Sequence, residues 1–286
     1  MPTVARPTFC LLIGTRPEAV KLAPVVRAFK KIGIDPLVIA TGQHEELVNP
    51  ILSELQILVT ERLATMDPGQ ELGSLAGRVA IQLQKILPRL RPDAMIVEGD
   101  TTSVAIAALT CHYNRVPVIH VEAGLRTGNE LNPFPEEVNR KVVSCIARLH
   151  FAPTETAKLN LLREGIAPDR IHVVGNTVVD QLYFARDELL PRSRRDTGIQ
   201  AIRATGRRII LVTGHRRESI GADLVAICRG VRKVAEKYVG EAEVLWPVHL
   251  NPAVGKAVHR LLARTQHRRA EWSVRGLEKF LRLAGW

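Results

Sequence analysis

Short, continuously apolar runs alternate along this chain with longer stretches whose apolar positions recur every three to four residues. TFCLLIG at 8–14 reads as a buried strand, and PLVIA at 36–40, AMIVE at 94–98, PVIHVE at 117–122, LHFAP at 149–153 and IHVVG at 171–175 follow in the same style. Between them, 18–32 has the helical period, with Pro17 suited to a first turn. The segments SVAIAALTCHYN and TETAKLNLLREG are helical as well, and Asp67-Pro68-Gly69-Gln70 forms a turn before a long helix. Strands alternating with helices predict a parallel sheet covered by helices on both faces. In such sheets ligand-binding groups collect in the loops that follow the strand C-termini.

The pattern breaks at 186–208, a polar, charged stretch with a proline and two glycines that reads as a linker. A second α/β unit opens after it, with RIILVTG at 208–214, a helix near 222–239 and EVLWPVH at 243–249. The length of 286 residues suits about two domains of ~100–200 residues. What remains after residue 200 is short of the ~100–150 residues of a common domain.

Composition adds limits. Hydrophobic residues make up 46% of the chain but aromatics only 4%, so aliphatic side chains must form the core. No apolar run approaches the ~20 residues that span a bilayer, so no membrane partner is expected. The four cysteines, Cys10, Cys111, Cys145 and Cys228, are scattered without a CxxC pair, which points to free thiols and a cytoplasmic setting. The formal charge of +11 raises nucleic-acid binding, but the basic residues are spread out and no aromatic-interleaved patch appears. Part of the excess sits at the end, where seven basic residues from Arg260 onward face only Glu271 and Glu278.

Candidate chemistry lies in the loops after strands. The first strand ends in Gly14-Thr15-Arg16-Pro17-Glu18, where a glycine admits a ligand to the backbone, a helix N-terminus favours an anion and Arg16 can fork onto phosphate. Lys21 lies one turn further on. Thr41-Gly42-Gln43-His44-Glu45 follows the second strand. In Glu98-Gly99-Asp100-Thr101-Thr102, either Asp100 or Thr101 can cap the next helix. Glu122 closes an apolar strand, so its carboxylate should be buried and in need of a partner. The glycines and Arg126 after it suggest a flexible loop that contacts an anion. Pro135 opens a helix whose N-terminus suits Glu136 and Glu137, and Arg140 stands four residues after Glu136. In the second unit, Thr213-Gly214-His215-Arg216-Arg217 repeats the plan of the first motif, and Pro247-Val248-His249 closes another strand.

Taken in order, GTRPEAVKLAPVV, TGQHEELV, MDPGQEL, GDTTS, HVEAGLRTGN, PFPEEVNRKVV, PTETAKLNLL, VGNTVVD, VTGHRRES and PVHLNP resemble the motifs of the non-hydrolysing UDP-N-acetylglucosamine 2-epimerases, from about residue 8 to about residue 263. The resemblance implies an α/β, glycosyltransferase-B-like fold of two Rossmann-like domains: 1–190 complete, and 191–263 the start of a second, UDP-binding one. It implies Asp100, Glu122, Glu136 and His215 as catalytic residues, and Arg16, Lys21, Arg140 and His215 as substrate-binding ones. A second, regulatory UDP-sugar site would take Gln43, His44, Gln70, Arg216 and His249. The implied reaction eliminates UDP from UDP-N-acetylglucosamine and re-adds it through 2-acetamidoglucal, for surface-polysaccharide precursors. It needs neither metal nor cofactor, and the implied protein is a homodimer.

Beyond 263 the quoted motifs stop, and 264–286 reads as an aberrant basic tail produced by truncation or a frame change. The DSGG-type segment that grips UDP in the family is not recognisable. On that reading the chain binds UDP-sugar weakly and turns over little. A hydrolysing epimerase and a non-catalytic UDP-sugar-binding remnant are the competing readings.

Overall fold

The computed structural model describes residues 6–42, 45–67, 69–190, 202, 204–213, 222–248, 252–262 and 273–276. They fall in two compact units, divided between Arg186 and Asp187. The division comes at the start of the stretch read as a linker, of which 191–201 and 203 lie outside the described residues.

The first unit alternates strand and helix throughout: β1 (Phe9–Ile13), α1 (Arg16–Lys31), β2 (Leu37–Ala40), α2 (Glu45–Glu54), β3 (Glu61–Arg62), α3 (Leu72–Leu90), β4 (Ala94–Glu98), α4 (Thr102–Tyr113), β5 (Val118–Val121), α5 (Glu136–Ile146), β6 (Leu149–Ala152), α6 (Glu155–Arg163), β7 (Ile171–Val173) and α7 (Thr177–Phe184). All seven strands are parallel, in the order β3-β2-β1-β4-β5-β6-β7. The order reverses between β1 and β4. Helices before and after that point must cover opposite faces, and the crevice outside the two strand ends is where such sheets bind ligands. Accordingly α3, α4 and α5 pack together in one row, and α1, α2 and α7 in another.

Burial explains the strand pattern. All of β4 and four of the five β1 residues are buried, so β1 reads as an unbroken apolar run and β4 as one up to its last residue, Glu98. In α3, Leu75, Val79, Leu83 and Leu87 recur every four residues and make one buried stripe. The small residues of α4, Ser103, Ala105, Ala107 and Ala108, let it sit closely between α3 and α5. Two-residue β3 escaped the apolar pattern because so short a strand has no period to display. The expected strand through Glu122 stops at Val121 instead, and Glu122 turns away with a φ of 62°.

The second unit contains β8 (Arg208–Leu211), α8 (Ala222–Lys237), β9 (Ala242–Val248), α9 (Pro252–Leu262) and β10 (Ser273–Gly276). Its three strands are parallel, in the order β10-β9-β8. Leu224, Cys228, Trp246, Val248, Val258 and Leu262 form its core. Strand β10 lies within 264–286, the segment expected as a basic tail. All four cysteines are free, and among the described residues no helix is long and apolar enough to cross a membrane.

Candidate active site

The crevice between the ends of β1 and β4 is closed underneath by a buried carboxylate. Glu18 accepts hydrogen bonds from the backbone N–H of Gly14 at 2.5 Å and of Thr15 at 3.1 Å, while Thr101 Oγ1 donates to its other oxygen at 3.0 Å. Thr15 and Glu18 make a reciprocal capping box at the start of α1. Amides that the motif seemed to offer to a ligand anion are therefore already used by Glu18. What remains is Arg16, half-buried and without a hydrogen-bond or ion-pair partner among the described residues. Burial raises Glu18 above the ordinary carboxylate range, against the hydrogen bonds it receives.

One turn along α1, Lys21 reaches across the crevice to two carboxylates. Its Nζ lies 2.9 Å from Glu98 Oε1, at the end of β4, and 2.6 Å from Glu122 Oε2, just past β5. The other Glu122 oxygen accepts from Asn176 Nδ2 at 2.6 Å, and the Asn176 Oδ1 caps α7 through the Val178 N–H. The buried partner predicted for Glu122 is thus a pair of donors, one from α1 and one from α7. Burial lifts Glu98 well above the usual range, more than Lys21 can lower it. Burial pushes Glu122 the same way, but Lys21 and the hydrogen bonds from Glu98 and Asn176 prevail and hold it below that range. For Lys21, burial is outweighed by the two carboxylates, and its ammonium is held above the usual lysine range.

Asp100 follows one residue after Gly99. The capping alternatives resolve in favour of Thr101, whose hydroxyl accepts from the Val104 N–H. Asp100 is thereby free to pair with Arg140 from α5, while its carbonyl accepts from Asn139 Nδ2 at 2.9 Å. Burial raises Asp100 above the usual range against the pull of Arg140. Behind the loop, burial pushes the His120 imidazole down to about 4, so the ring is neutral and its Nε2 donates to the Gly99 carbonyl at 2.8 Å.

Arg140 does not pair with Glu136, the partner its i,i+4 spacing suggested. Its second partner is Glu137 at i,i+3, 3.2 Å away. Glu137 is fully buried, and its two oxygens accept from the Thr127 and Gly128 N–H groups at 3.0 Å each. Glu136 is half-buried and has no such partner among the described residues. Arg126, expected to contact an anion, is engaged by a carboxylate of the protein itself. Its guanidinium grips Glu164 through two bonds, of 2.7 and 2.6 Å, and donates to Ser144. The loop it sits on starts against α6. Gly124 has a φ of 87°, and a Cβ there would stand 2.2 Å from the Ala157 carbonyl oxygen, so close approach of α6 demands the glycine.

A sequence profile of the UDP-N-acetylglucosamine 2-epimerases matches residues 27–284. The chain belongs to this epimerase family. Within it, the Yersinia pestis UDP-N-acetylglucosamine 2-epimerase is 43% identical over 255 residues, covering 88% of this chain and 68% of that protein. The Neisseria meningitidis UDP-GlcNAc 2-epimerase, solved bound to UDP-GlcNAc, superimposes with a TM-score of 0.82 at 37% identity, covering 90% of this chain and 70% of that one. The Methanocaldococcus jannaschii enzyme, solved with UDP-GlcNAc and UDP, gives 0.74 at 31% identity over 96% and 76% of the two chains. The fold class is the α/β, glycosyltransferase-B-like one that the motifs implied. The profile match runs beyond residue 263, where the quoted motifs stopped.

Of the family residues expected in the site, Lys21 and Glu122 meet directly, and Asp100 and Arg140 form an adjoining pair. Gln70, expected at the regulatory site, has its amide donating to the Thr65 carbonyl and accepting from the Asp67 N–H. Gln43, His44, His215, Arg216 and His249 lie outside the described residues. Sequence reasoning passed over Glu98, Glu18, Glu137 and Asn176. Glu98 carried the same signal as Glu122, a carboxylate closing an apolar strand. Asn176 carried only a helix-capping signal, because its partner is far away in the chain.

Proposed function

We propose that this chain interconverts UDP-N-acetylglucosamine and UDP-N-acetylmannosamine by eliminating and re-adding UDP. Membership of the epimerase family supports the reaction, and the Lys21–Glu98–Glu122 cluster beside Asp100 is the observation that carries the chemistry. The proton at C2 of the sugar is barely acidic, because no carbonyl adjoins it. Breaking the C1–O bond first sends the electron pair to UDP and leaves oxocarbenium character at C1. A base then removes the C2 proton, and the C–H electrons form the C1=C2 bond of 2-acetamidoglucal. Protonation of C2 on the other face and return of UDP to C1 complete the epimerisation.

Two faces need two proton-handling groups with different affinities. Glu122, held ionised by Lys21 and Asn176, suits proton removal. Asp100, whose carboxyl is raised by burial, suits proton return, and Glu136 is the third candidate. Arg16, with His215, balances charge on the departing diphosphate. Lys21 and Arg140 act on substrate through the carboxylates they hold. Gln43, His44, Gln70, Arg216 and His249 are assigned to a second, regulatory UDP-sugar site, and the working form is a cytoplasmic homodimer.

The decisive experiment incubates the protein with UDP-N-acetylglucosamine in D2O and follows the sugar by proton NMR. Loss of the C2 proton signal, with the UDP-linked manno epimer appearing, is the expected result. Free N-acetylmannosamine would identify a hydrolysing enzyme instead. Calorimetric binding of UDP without exchange would overturn the reading in favour of a binding protein.

A further inference from the structure

Glu98 has no place in the reaction as drawn, yet it is the most enclosed member of the cluster. Its side chain is 2% exposed, against 12% for Glu122 and 21% for Lys21. Lys21 Nζ holds one oxygen of each carboxyl group, at 2.9 Å from Glu98 and 2.6 Å from Glu122, so the two groups meet at a single ammonium. Lys21 touches both and supplies one positive charge for two potential negative ones. Two like charges in contact with one counter-charge, in a largely buried cluster, resist ionising together.

Every neighbour points to the same member as the proton holder. Glu122 receives Lys21 on one oxygen and Asn176, from the cap of α7, on the other. Among the described residues, Glu98 receives only Lys21. Asp100 lies beyond Gly99 with its charge matched by Arg140 of α5, and neutral His120 of β5 is bound to the Gly99 carbonyl. None of these supplies Glu98 with a second cation.

We propose that Glu98 and Glu122 share a single proton, resident on Glu98, and that Glu98 is a positioning residue that keeps Glu122 ionised and aimed. The proton-sharing part stands on the Lys21 bridge and the unequal donors to the two carboxyl groups; the catalytic consequence rests on the epimerase reading. The bond from protonated Glu98 stabilises the Glu122 carboxylate before substrate arrives, and it weakens as Glu122 takes up the C2 proton.

Infrared difference spectra of the wild-type protein against E98Q at pH 7 test the sharing directly. The expected difference is loss of a protonated-carboxyl C=O band. Loss of ionised-carboxylate bands in its place would overturn the proposal, whether or not the protein turns over substrate. The consequence is tested by pH profiles of kcat/KM. E98L, which removes the donor, should lower kcat/KM by about tenfold or more and move its acid limb to higher pH. E98Q, whose amide can still donate, should bring the limb back toward the wild-type position. An acid limb that stays in place in E98L would reduce Glu98 to a packing role. If the wild-type protein shows no exchange while the protonated band is present, the epimerase reading falls and the shared proton stands.

Discussion

Two ion-pair clusters stand a few residues apart in the chain, at Glu122 and Arg126, and they are built on opposite principles. At Arg126, one guanidinium meets one carboxylate, Glu164, in a fork of two bonds, with Ser144 taking a further donor. Charge is balanced, and four of the five guanidinium N–H groups are used within the protein, one of them on the Leu125 carbonyl. At Lys21, one ammonium faces two carboxylates, both largely buried. That arrangement is costly to fold around, and the role proposed for it is to split two chemically similar groups into one proton holder and one proton acceptor. On the proposed reading, balance marks the structural pair and imbalance the reactive one, although both are salt bridges of a basic side chain with carboxylates.

The largest expected effects fall on the imbalanced side. D100N and E122Q should each lower C2 hydrogen–deuterium exchange by about 10²–10⁴-fold with little change in melting temperature. Equal loss of exchange in R126M, at unchanged stability, would break the contrast. On the stability side the largest change is G124A. It forces a side chain into a φ of 87° and against the Ala157 carbonyl, and should cost about 3 kcal/mol in urea unfolding. R126M should follow at about 1–3 kcal/mol, since it leaves a partly buried Glu164 without its fork.

Acid should expose a further difference. Burial holds His120 and His150 at about 4, below their unfolded value near 6.5. As pH falls from about 6.5 to 4, the unfolded chain takes up protons that the folded chain refuses, so stability is lost through that window. H150N should flatten the decline in urea-unfolding free energy over that range. The smallest effects separate two neighbouring residues. E137Q should cost about 1–2 kcal/mol, because Glu137 holds Thr127, Gly128 and Arg140. E136Q should leave stability within about 0.5 kcal/mol, and a larger loss would assign Glu136 a structural bond.

Much of the fold was legible from the apolar runs. AMIVE at 94–98 is β4 residue for residue, and the expected helices from Pro17 and Pro135 are α1 and α5. These elements announce themselves because a strand buried on both faces reads as an apolar run, here broken only at its end by Glu98, and because proline and acidic residues mark helix starts. The two-residue β3 and the early end of β5 were not legible, as both depend on pairing with distant strands. In the site, a buried Glu122 was readable from its place at a strand end. That Thr101 and not Asp100 caps α4, and that Glu137 and not Glu136 is locked, was not. Both members of each pair satisfy the same local rule.

By itself, the sequence determined the parallel α/β architecture, the loops that carry the polar groups and, through ordered motifs, the family. Only the tertiary structure decided which charged groups meet. Lys21 and Glu122 come together because β1, β4 and β5 lie side by side after the strand order reverses, a fact that no local pattern contains. The proton affinities follow from that meeting. A carboxylate is an acid or a base here according to how many donors surround it in a water-poor crevice, and donors are counted in space rather than along the chain.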